Sequence, residues 1–348
     1  MPDGRRPSKT TNLWGVVASG LGYHLDNFGQ WLLARSPKAG GAYAALLAPA
    51  EPKPRTRPSW RFAQEYYEQR RWLACRRGAL WEAARGQVSV PLTVKWYYGT
   101  TVDVLLGNDN SLCLYVCGSF EPNEFAFLDT VLKPGMVFVD VGANDGYYTL
   151  FAAKRVGAQG RVLSVEPSTR ERVNLKRNIA RNRLGNITVL PMALGATSGT
   201  AELQLAQISH SGHNTLGRFA NDGVQAECVE QVKMCTLDSV AQDMALDRID
   251  LLKIDVEGAE ANVIAGARQV LAASKPLIML EISDKALRGQ GSDAERLLRT
   301  LRTDLGYEIG VFSAQTGRIE RLGEGRHLSP NVVAMPRDRT RELLDVSA

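Results

Sequence analysis

Four carboxylates in this chain stand at or near the ends of short apolar runs that have the pattern of buried strands. Asp140 lies in the run Val137–Val141, Glu166 closes the next run, and Asp255 and Glu281 lie near the ends of two later runs. In an open α/β sheet, ligands bind beyond the carboxyl ends of the strands. We therefore expect these acids to meet at one edge of a sheet and to line a ligand site.

The run that contains Asp140 leads into a bend with the sequence GANDG, from Gly142 to Gly146, and then into the segment Tyr147–Val156. The apolar residues of that segment have helical spacing, so the pattern predicts a strand, a tight bend and a helix. Glycine permits positive φ and lets a ligand lie against bare backbone, and the first N–H groups of a helix have no partner within it. The bend is therefore a predicted binding element.

The chemistry of the bend argues against a phosphate ligand. It reads G-x-x-x-G instead of the G-x-G-x-x-G of dinucleotide folds, and it lacks the Gly-Lys-Ser/Thr of phosphate-binding loops. The bend contains Asn144, and the carboxylates of Asp140 and Asp145 would repel a phosphate but attract an ammonium or a sulfonium. Glu166 stands at about the spacing at which nucleotide-binding folds place the acid that binds ribose hydroxyls. Together these residues predict a site for a cationic nucleoside.

Strand-like and helix-like segments alternate beyond the bend, which predicts a parallel sheet with helices on both faces. Ser168 and Glu171 match a capping box that opens a helix running to Arg183. An insertion at residues 199–235 separates the third and fourth parallel strands, and its polar loop, residues 209–215, is a place where specificity residues are common. Further strands are predicted at residues 187–192, 250–255 and 277–282, and an antiparallel pair at residues 307–312 and 332–335.

Six motifs follow one another along the chain: YVCGSFEPNEFAFL, VDVGANDGYYTL, SVEPS, LPMALG, TLDSV and DLLKIDVEGAE. In this order they resemble the FkbM-type family of S-adenosylmethionine-dependent methyltransferases, over roughly residues 109–335. The resemblance implies an α/β fold of the class I methyltransferase type. That fold is Rossmann-like, with a mostly parallel seven-stranded sheet, helices on both faces and an antiparallel last strand, here preceded by an N-terminal extension. The implied cofactor is S-adenosyl-L-methionine.

The same resemblance assigns roles to individual residues. It implies that the methionine part of the cofactor is lined by Asp140, Gly142, Asn144 and Gly146. Glu166 would hold the ribose hydroxyls, and Met192 or Ala193 would lie near the adenine.

Methyl transfer from a sulfonium is an in-line displacement, so a protein mainly positions the reactants and, for a hydroxyl acceptor, supplies a base. Asp255 and Glu257, in KIDVEG, follow the fourth parallel strand. If the strand persists to residue 257, alternation places both acids on one side. Asp255 is the predicted base or orienting group; alternatively, it only braces the loop or caps the next helix. His213 and His210, in SHSGHN, offer another base.

The two histidines, together with Asp255 and Glu257, would also offer oxygen and nitrogen ligands to a divalent cation. The spacing H-x-x-H in a loop is weak evidence, and no metal site is assigned from the sequence. The five cysteines include no C-x-x-C pair, which favours free thiols in a reducing compartment.

The sequence suggests four parts: a helical appendage with a proline-rich linker (residues 1–58), a cap or lead-in region (59–130), a catalytic domain (131–337) and a tail (338–348). In the appendage, Trp14, Phe28, Trp31 and Leu32 form a predicted apolar face that docks on the catalytic domain, with a partner or a membrane surface as alternatives. The cap is predicted to hold strands at residues 94–98, 102–106 and 112–116. A helix at residues 120–132 is predicted to close over the cofactor.

The composition, with 44% hydrophobic and 23% charged residues in 348, is that of a soluble globular protein. Much of the net charge of +5 arises before residue 90. Nucleic-acid binding is not predicted, because the sequence has no basic stripe interleaved with aromatic residues. The apolar stretch at residues 13–33 is broken by His24, Asp26 and Asn27, so neither a signal peptide nor membrane insertion is predicted. We interpret the protein as cytoplasmic, and a homo-oligomer is compatible with the sequence.

The predicted activity is S-adenosylmethionine-dependent methyl transfer. The resemblance implies O-methylation of a small-molecule or glycan acceptor, at a hydroxyl of a sugar, glycan or secondary metabolite. One rival is an NAD-dependent oxidoreductase, which would require the missing G-x-G-x-x-G and a parallel closing strand. The other is a non-catalytic cofactor-binding scaffold, against which the acids at positions 140, 166 and 255 argue.

Overall fold

Three helices precede the first strands in the computed structural model, which describes residues 27–53, 71–85, 90–118, 120–313, 316–323 and 329–346. They are α1 (Asn27–Arg35), α2 (Pro37–Leu46) and α3 (Arg71–Ala84). Ser36 caps α2, because its side chain accepts a hydrogen bond from the Ala39 N–H.

The predicted docking face of the appendage is only partly correct. Leu33 is buried in the same apolar core as the strands that follow, but Phe28 and Trp31 remain 56% and 49% exposed. Trp14 lies outside the described residues. The packing therefore rests on Leu33 rather than on the aromatic rings.

The cap begins with an antiparallel pair, β1 (Val90–Lys95) and β2 (Thr101–Leu106). The strand predicted at residues 102–106 is confirmed, but the one predicted at residues 94–98 is misplaced, because β1 ends at Lys95 and Tyr97–Gly99 forms a 3-10 turn. The third predicted strand is wrong: after the short helix α4 (Asp109–Ser111), the segment Leu112–Val116 forms a π-helical turn. Leu112, Leu114, Tyr115 and Val116 are all buried, so the segment has no alternation, and a short apolar run cannot by itself distinguish a buried strand from a buried helix.

The remaining elements alternate as the sequence predicts. They are α5 (Pro122–Val131), β3 (Val137–Val141), α6 (Tyr147–Val156), β4 (Arg161–Val165), α7 (Thr169–Arg181), β5 (Ile187–Leu190), β6 (Ala193–Leu194), β7 (Gly199–Ala206), a 3-10 helix (Ile208–His213), β8 (Ala226–Cys235), α8 (Leu237–Asp243), β9 (Leu251–Ile254), α9 (Glu260–Ala265), α10 (Arg268–Ser274), β10 (Leu277–Glu281), α11 (Asp284–Gly289), α12 (Ala294–Arg299), a π-helical turn (Thr300–Asp304), β11 (Tyr307–Phe312), β12 (Ile319–Arg321), β13 (Asn331–Pro336) and α13 (Thr340–Val346).

The main sheet has the strand order β12-β11-β13-β10-β9-β3-β4-β5. Neighbouring strands from β10 to β5 run parallel, whereas β13 lies antiparallel between β10 and β11. This is the class I methyltransferase arrangement with its reversed last strand. Seven of the strands are the expected ones, and the three-residue β12 adds an eighth at the edge.

Each face of the sheet has its own core, because successive residues of a strand point to opposite faces. Phe138 of β3 packs in the cluster that contains Phe125 of α5 and Phe151 of α6, whereas Val139 packs in the cluster of α8 to α12, which includes Leu237. Helices therefore cover both faces, as predicted. Full burial of each large apolar side chain contributes about 1.5–3 kcal/mol.

The predicted insertion forms a separate three-stranded sheet in the order β6-β8-β7. Strands β7 and β8 pair antiparallel, and the polar segment between them folds mostly into the 3-10 helix Ile208–His213. That short helix lies over the carboxyl ends of the main parallel strands, where it reaches the site described next.

Candidate active site

A cavity of about 260 Å³ opens at the carboxyl ends of the parallel strands. It collects residues from the bend after β3, the end of β4, the segment after β5, the insertion and the end of β9. Eight of the ten site residues predicted from the sequence line it: Gly142, Asn144, Glu166, Met192, Ala193, His213, Asp255 and Glu257.

Asp140 does not line the cavity, so the structure does not bring it to the wall at which the cofactor contact is predicted. It lies one residue before the end of β3, where it is fully buried beneath the bend. Thr149 Oγ1 donates to Asp140 Oδ2 over 2.6 Å, and Lys253 Nζ lies 3.4 Å from Oδ1. Burial raises the pKa of Asp140, and the charge of Lys253 opposes that rise. Asp140 braces the bend from below.

The two glycines of the bend have different reasons to be glycine. At Gly142, with φ of 78°, an added Cβ would lie 1.8 Å from the backbone oxygen of Asp255. At Gly146, with φ of 92°, a Cβ would meet Leu175 of α7 at 2.5 Å, so Gly146 packs against α7. Contrary to the prediction, Gly146 does not line the cavity. Of these two glycines, Gly142 lines the cavity, where its backbone closely approaches Asp255 just beyond the end of β9.

Glu166 is buried and bridges the bend and the start of α7. Its Oε2 accepts a hydrogen bond from the Asn144 N–H and its Oε1 accepts one from the Ser168 N–H, each over 2.8 Å. Burial raises the pKa of Glu166 to about 8, although those two N–H groups lower it. Because a carboxylate offers about four acceptor positions, Glu166 retains capacity for two hydroxyl donors. The adjoining wall is apolar: Pro167, Met192, Ala193 and Leu194.

Lys253 is a cavity residue to which the sequence analysis assigns no role. It is buried in β9, and its Nζ lies 3.2 Å from Asp255 Oδ2 and donates to the Gly142 oxygen over 3.0 Å. Burial opposes its charge, but Asp255 and Asp140 more than compensate and raise the pKa of Lys253. A lysine inside the apolar run LLKI is itself a signal, because lysine is almost never fully buried without a partner.

Asp255, Glu257 and Glu281 come together at the cavity wall, with one oxygen of each within 4.8 Å of the others. The predicted reason is wrong: β9 ends at Ile254, and Glu257 has a left-handed φ of 53°, so a turn rather than strand alternation joins Asp255 and Glu257. Burial, with the nearby Asp255 and Glu257, raises the pKa of Glu281 well above its usual range.

The 3-10 helix of the insertion is fastened to three parts of the site. His213 Nδ1 lies 3.0 Å from Glu257 Oε1, His210 Nδ1 lies 2.7 Å from Asp109 Oδ2, and the Ser211 oxygen accepts from Asn144 Nδ2 over 2.9 Å. Burial lowers the pKa of His213, but the hydrogen bond and charge of Glu257 outweigh it, so the net shift is upward. His213 lines the cavity and His210 does not.

Glu121 is a second residue that sequence reasoning missed. It precedes α5 with a left-handed φ of 39° and lines the cavity, as does Phe120. Its carboxylate accepts hydrogen bonds from the Tyr148 hydroxyl and from Asn331 Nδ2, the latter over 2.7 Å. Burial raises the pKa of Glu121, and both hydrogen bonds lower it. Glu121 lies in the motif YVCGSFEPNEFAFL, but nothing in that motif marks it as a site residue, because its partners lie on α6 and β13.

The charged residues of the cavity wall give it an acidic character. The single lysine, Lys253, is already paired with two carboxylates, and the acids outnumber it: Asp109, Glu121, Glu166, Asp255, Glu257 and Glu281. Such a wall attracts a cation and repels a diphosphate. The acidic groups suit a sulfonium, the Glu166 carboxylate suits ribose hydroxyls, and the apolar wall suits a nucleobase. Together these features fit S-adenosylmethionine.

Comparison with known proteins agrees with this site. Residues 140–309 match the family model described as the methyltransferase FkbM domain. The chain is 30% identical over 213 residues to the AMB antimetabolite synthetase AmbE of Pseudomonas aeruginosa. The matched region covers 52% of this chain and 10% of AmbE. It is 31% identical over 154 residues to the methyltransferase sdnD of Sordaria araneosa, covering 37% of this chain and 59% of sdnD.

The chain is also 27% identical over 168 residues to the 2-O-methyltransferase NoeI of Sinorhizobium fredii, covering 44% of this chain and 66% of NoeI. It thus spans less than two thirds of each of these curated relatives. Among solved structures, methyltransferase FkbM from Methylobacillus flagellatus has a TM-score of 0.38 at 17% identity, over 57% of this chain and 43% of that one.

The part of the chain that carries the bend, Glu166 and the end of β9 is thus similar to FkbM-type methyltransferase domains, and S-adenosylmethionine is the cofactor that fits the site. Within the described ranges, none of the helices combines the length and the apolar character needed to cross a membrane.

Proposed function

We propose that this protein transfers a methyl group from S-adenosylmethionine to a hydroxyl oxygen of a sugar, glycan or secondary metabolite. The observation that carries the proposal is the acidic cavity at the strand ends, with Glu166 beside an apolar wall and Asp255 opposite the bare backbone of Gly142. The choice of oxygen as the methylated atom is supported by the similarity to NoeI, whose name describes a 2-O-methyltransferase.

The cofactor, when bound, supplies a methyl group on a positively charged sulfur. Glu166 accepts hydrogen bonds from the ribose, Met192 and Ala193 contact the adenine, and the backbone at Gly142 and Asn144 holds the amino-acid end. All five residues line the cavity, and the chemistry of each suits the part of the cofactor assigned to it. Positioning of this kind is the main contribution that a protein makes to an in-line displacement.

Asp255 is the proposed base. Its carboxylate is held by Lys253 at 3.2 Å and faces the cavity, so it can receive the proton that the acceptor hydroxyl loses when the new C–O bond forms. Glu257 and His213, hydrogen-bonded to each other over 3.0 Å, lie beside it and orient the acceptor.

We further propose that residues 131–337 form the catalytic unit and that residues 59–130 complete its pocket. Asp109, Cys113, Phe120 and Glu121 of the lead-in region support this division, because all four line the cavity.

A methyl-transfer screen tests the proposal directly. The full chain is incubated with isotopically labelled S-adenosylmethionine and a panel of hydroxylated sugars, glycans and metabolites, with the corresponding deoxy compounds as controls. We expect label in a hydroxylated acceptor and none in its deoxy counterpart. Label that appears only on nitrogen or carbon would contradict O-methylation.

A further inference from the structure

Two histidines of the insertion and an aspartate of the lead-in region form a cluster at the rim of the cavity, apart from the residues proposed to bind the cofactor. Asp109 Oδ2 lies 2.7 Å from His210 Nδ1 and 3.8 Å from His213 Nε2. One ligand atom of each residue lies within 4.8 Å of the other two. The side chains are 17–29% exposed, so an ion from solvent can reach them.

Both histidine rings belong to one short segment of the insertion. The segment Ile208–His213 is mostly 3-10 helical but is kinked at His210, where φ is −124° and ψ is 35°. Contacts with Asp109 and Glu257 hold the two rings. Their ring centroids are 6.3 Å apart. Asp109, from the start of α4, closes the cluster although it lies about a hundred residues earlier in the chain.

A further carboxylate fixes the orientation of one ring. Glu257 Oε1 lies 3.0 Å from His213 Nδ1 and therefore favours the tautomer in which Nδ1 carries the proton. That tautomer leaves the Nε2 lone pair directed toward Asp109. A histidine that binds a metal through one nitrogen commonly donates its other N–H to a carboxylate in this way.

We propose that Asp109, His210 and His213 form a binding site for a divalent transition-metal ion of the zinc class. Two imidazole nitrogens and one carboxylate oxygen suit zinc or cobalt, whereas magnesium and calcium prefer oxygen ligands alone. Tetrahedral coordination with zinc–ligand bonds of about 2.1 Å places the ligand atoms about 3.4 Å from one another. This separation lies between the 2.7 Å from Asp109 Oδ2 to His210 Nδ1 and the 3.8 Å from Asp109 Oδ2 to His213 Nε2.

The position left open by three protein ligands would face the cavity, because Asp109 and His213 line it. The ligand set differs from the one considered from the sequence: Asp109 takes part, Asp255 does not, and Glu257 supports His213 without binding the ion. The site is independent of the acceptor's identity.

The test uses the full chain freed of metal by chelation, with Co²⁺ as a visible probe and Zn²⁺ in calorimetry. We expect one ion per chain and the absorption bands of tetrahedral Co²⁺. His210→Asn and Asp109→Asn should each weaken Co²⁺ binding at least tenfold, and Glu257→Gln should weaken it about tenfold through His213. Asp222→Asn, at a surface carboxylate that is 94% exposed, is the matched control and should bind Co²⁺ as the unaltered protein does.

Binding of S-adenosylhomocysteine, measured on each variant, separates loss of the metal site from loss of the fold or of the cofactor site. Unaltered Co²⁺ affinity in the His210→Asn, His213→Asn double variant would overturn the proposal, and so would absence of binding to the unaltered protein. If the variants fail to fold, zinc X-ray absorption of the unaltered protein decides. Two imidazole shells with an oxygen ligand are expected, and a sulfur or all-oxygen shell would contradict the assignment.

Discussion

The two walls of the cavity are built in different ways. The proposed cofactor wall comes from three successive strand ends that lie close together in the sequence, and it consists of Gly142, Asn144, Glu166, Met192 and Ala193. The proposed acceptor wall comes from the cap, the insertion and the later strands, and it consists of Asp109, Glu121, His213, Lys253, Asp255, Glu257 and Glu281. The first wall is a local motif, whereas the second exists only after long-range packing.

This difference predicts that the two walls fail in different ways when they are altered. Damage to the cofactor wall should weaken cofactor binding, and damage to the acceptor wall should reduce turnover while the cofactor still binds. The following experiments break or sharpen that division, from the largest expected effect to the smallest.

Asp255→Asn should have the largest effect, on turnover alone. Removing a general base typically costs about 10²–10⁴-fold in rate, and the amide of asparagine cannot accept the proton. Steady-state methyl transfer to an acceptor found in the screen gives kcat, and calorimetry with S-adenosylhomocysteine gives the cofactor affinity. Unchanged kcat would remove Asp255 from the mechanism, and a parallel loss of cofactor affinity would contradict the division between the walls.

Gly142→Ala should destabilise the fold by about 3 kcal/mol or more, because the new Cβ meets the Asp255 oxygen and the backbone is held at positive φ. Gly135→Ala is the matched control: its φ of 84° is similar, but the space around it is open, so only the backbone strain of about 1 kcal/mol remains. Urea unfolding measures both. Equal losses would show that close approach to β9 is unimportant.

Glu166→Ala should weaken cofactor binding by about 10–100-fold, because hydrogen bonds to a charged group contribute about 1.5–3 kcal/mol. The apparent kcat at saturating cofactor should change little. Calorimetry with S-adenosylhomocysteine measures the loss, with the exposed Glu202→Ala as control. A variant that binds normally would exclude Glu166 as the ribose ligand.

The pH dependence of cofactor binding should show the smallest effect. The pKa values of Glu121, Glu166 and Glu281 are raised, that of Glu166 to about 8, so Glu166 is partly protonated near neutrality. A sulfonium binds their ionised forms better. Affinity for S-adenosylmethionine should therefore rise about tenfold from roughly pH 6.5 to 8.5, with release of protons.

S-adenosylhomocysteine, which lacks the sulfonium charge, should show a shallower rise over the same pH range. Calorimetry in buffers of different ionisation enthalpy measures the released protons for both ligands. Identical profiles would mean that the wall does not sense the charge on sulfur.

The same contrast explains what the sequence could predict. The strand, bend and helix at residues 137–156 follow from local apolar periodicity and two glycines, and the structure has them at the predicted bounds. The acids at strand ends follow from the edge rule for α/β sheets. Both inferences depend only on residues that are near one another in the sequence. They therefore predict that most residues of the cofactor wall lie at the cavity, and the structure has them there.

The acceptor wall depends on contacts that no local pattern encodes. Glu121 accepts a hydrogen bond from Asn331, which lies some two hundred residues later in the chain. Asp109 contacts His210, which lies about a hundred residues later. The motif gives the position of Asp140 along its strand but not its distance from the cavity, and in the structure its side chain is buried and does not line the cavity. Leu112–Val116 was assigned to the wrong element because burial on all sides removes the alternation that marks a strand.

Calorimetry with S-adenosylhomocysteine and NAD tests most directly whether this hollow receives a sulfur-bearing nucleoside and rejects a diphosphate. The account predicts binding of S-adenosylhomocysteine at one molecule per chain and no heat with NAD. Heat with NAD, together with none from S-adenosylhomocysteine, would contradict it.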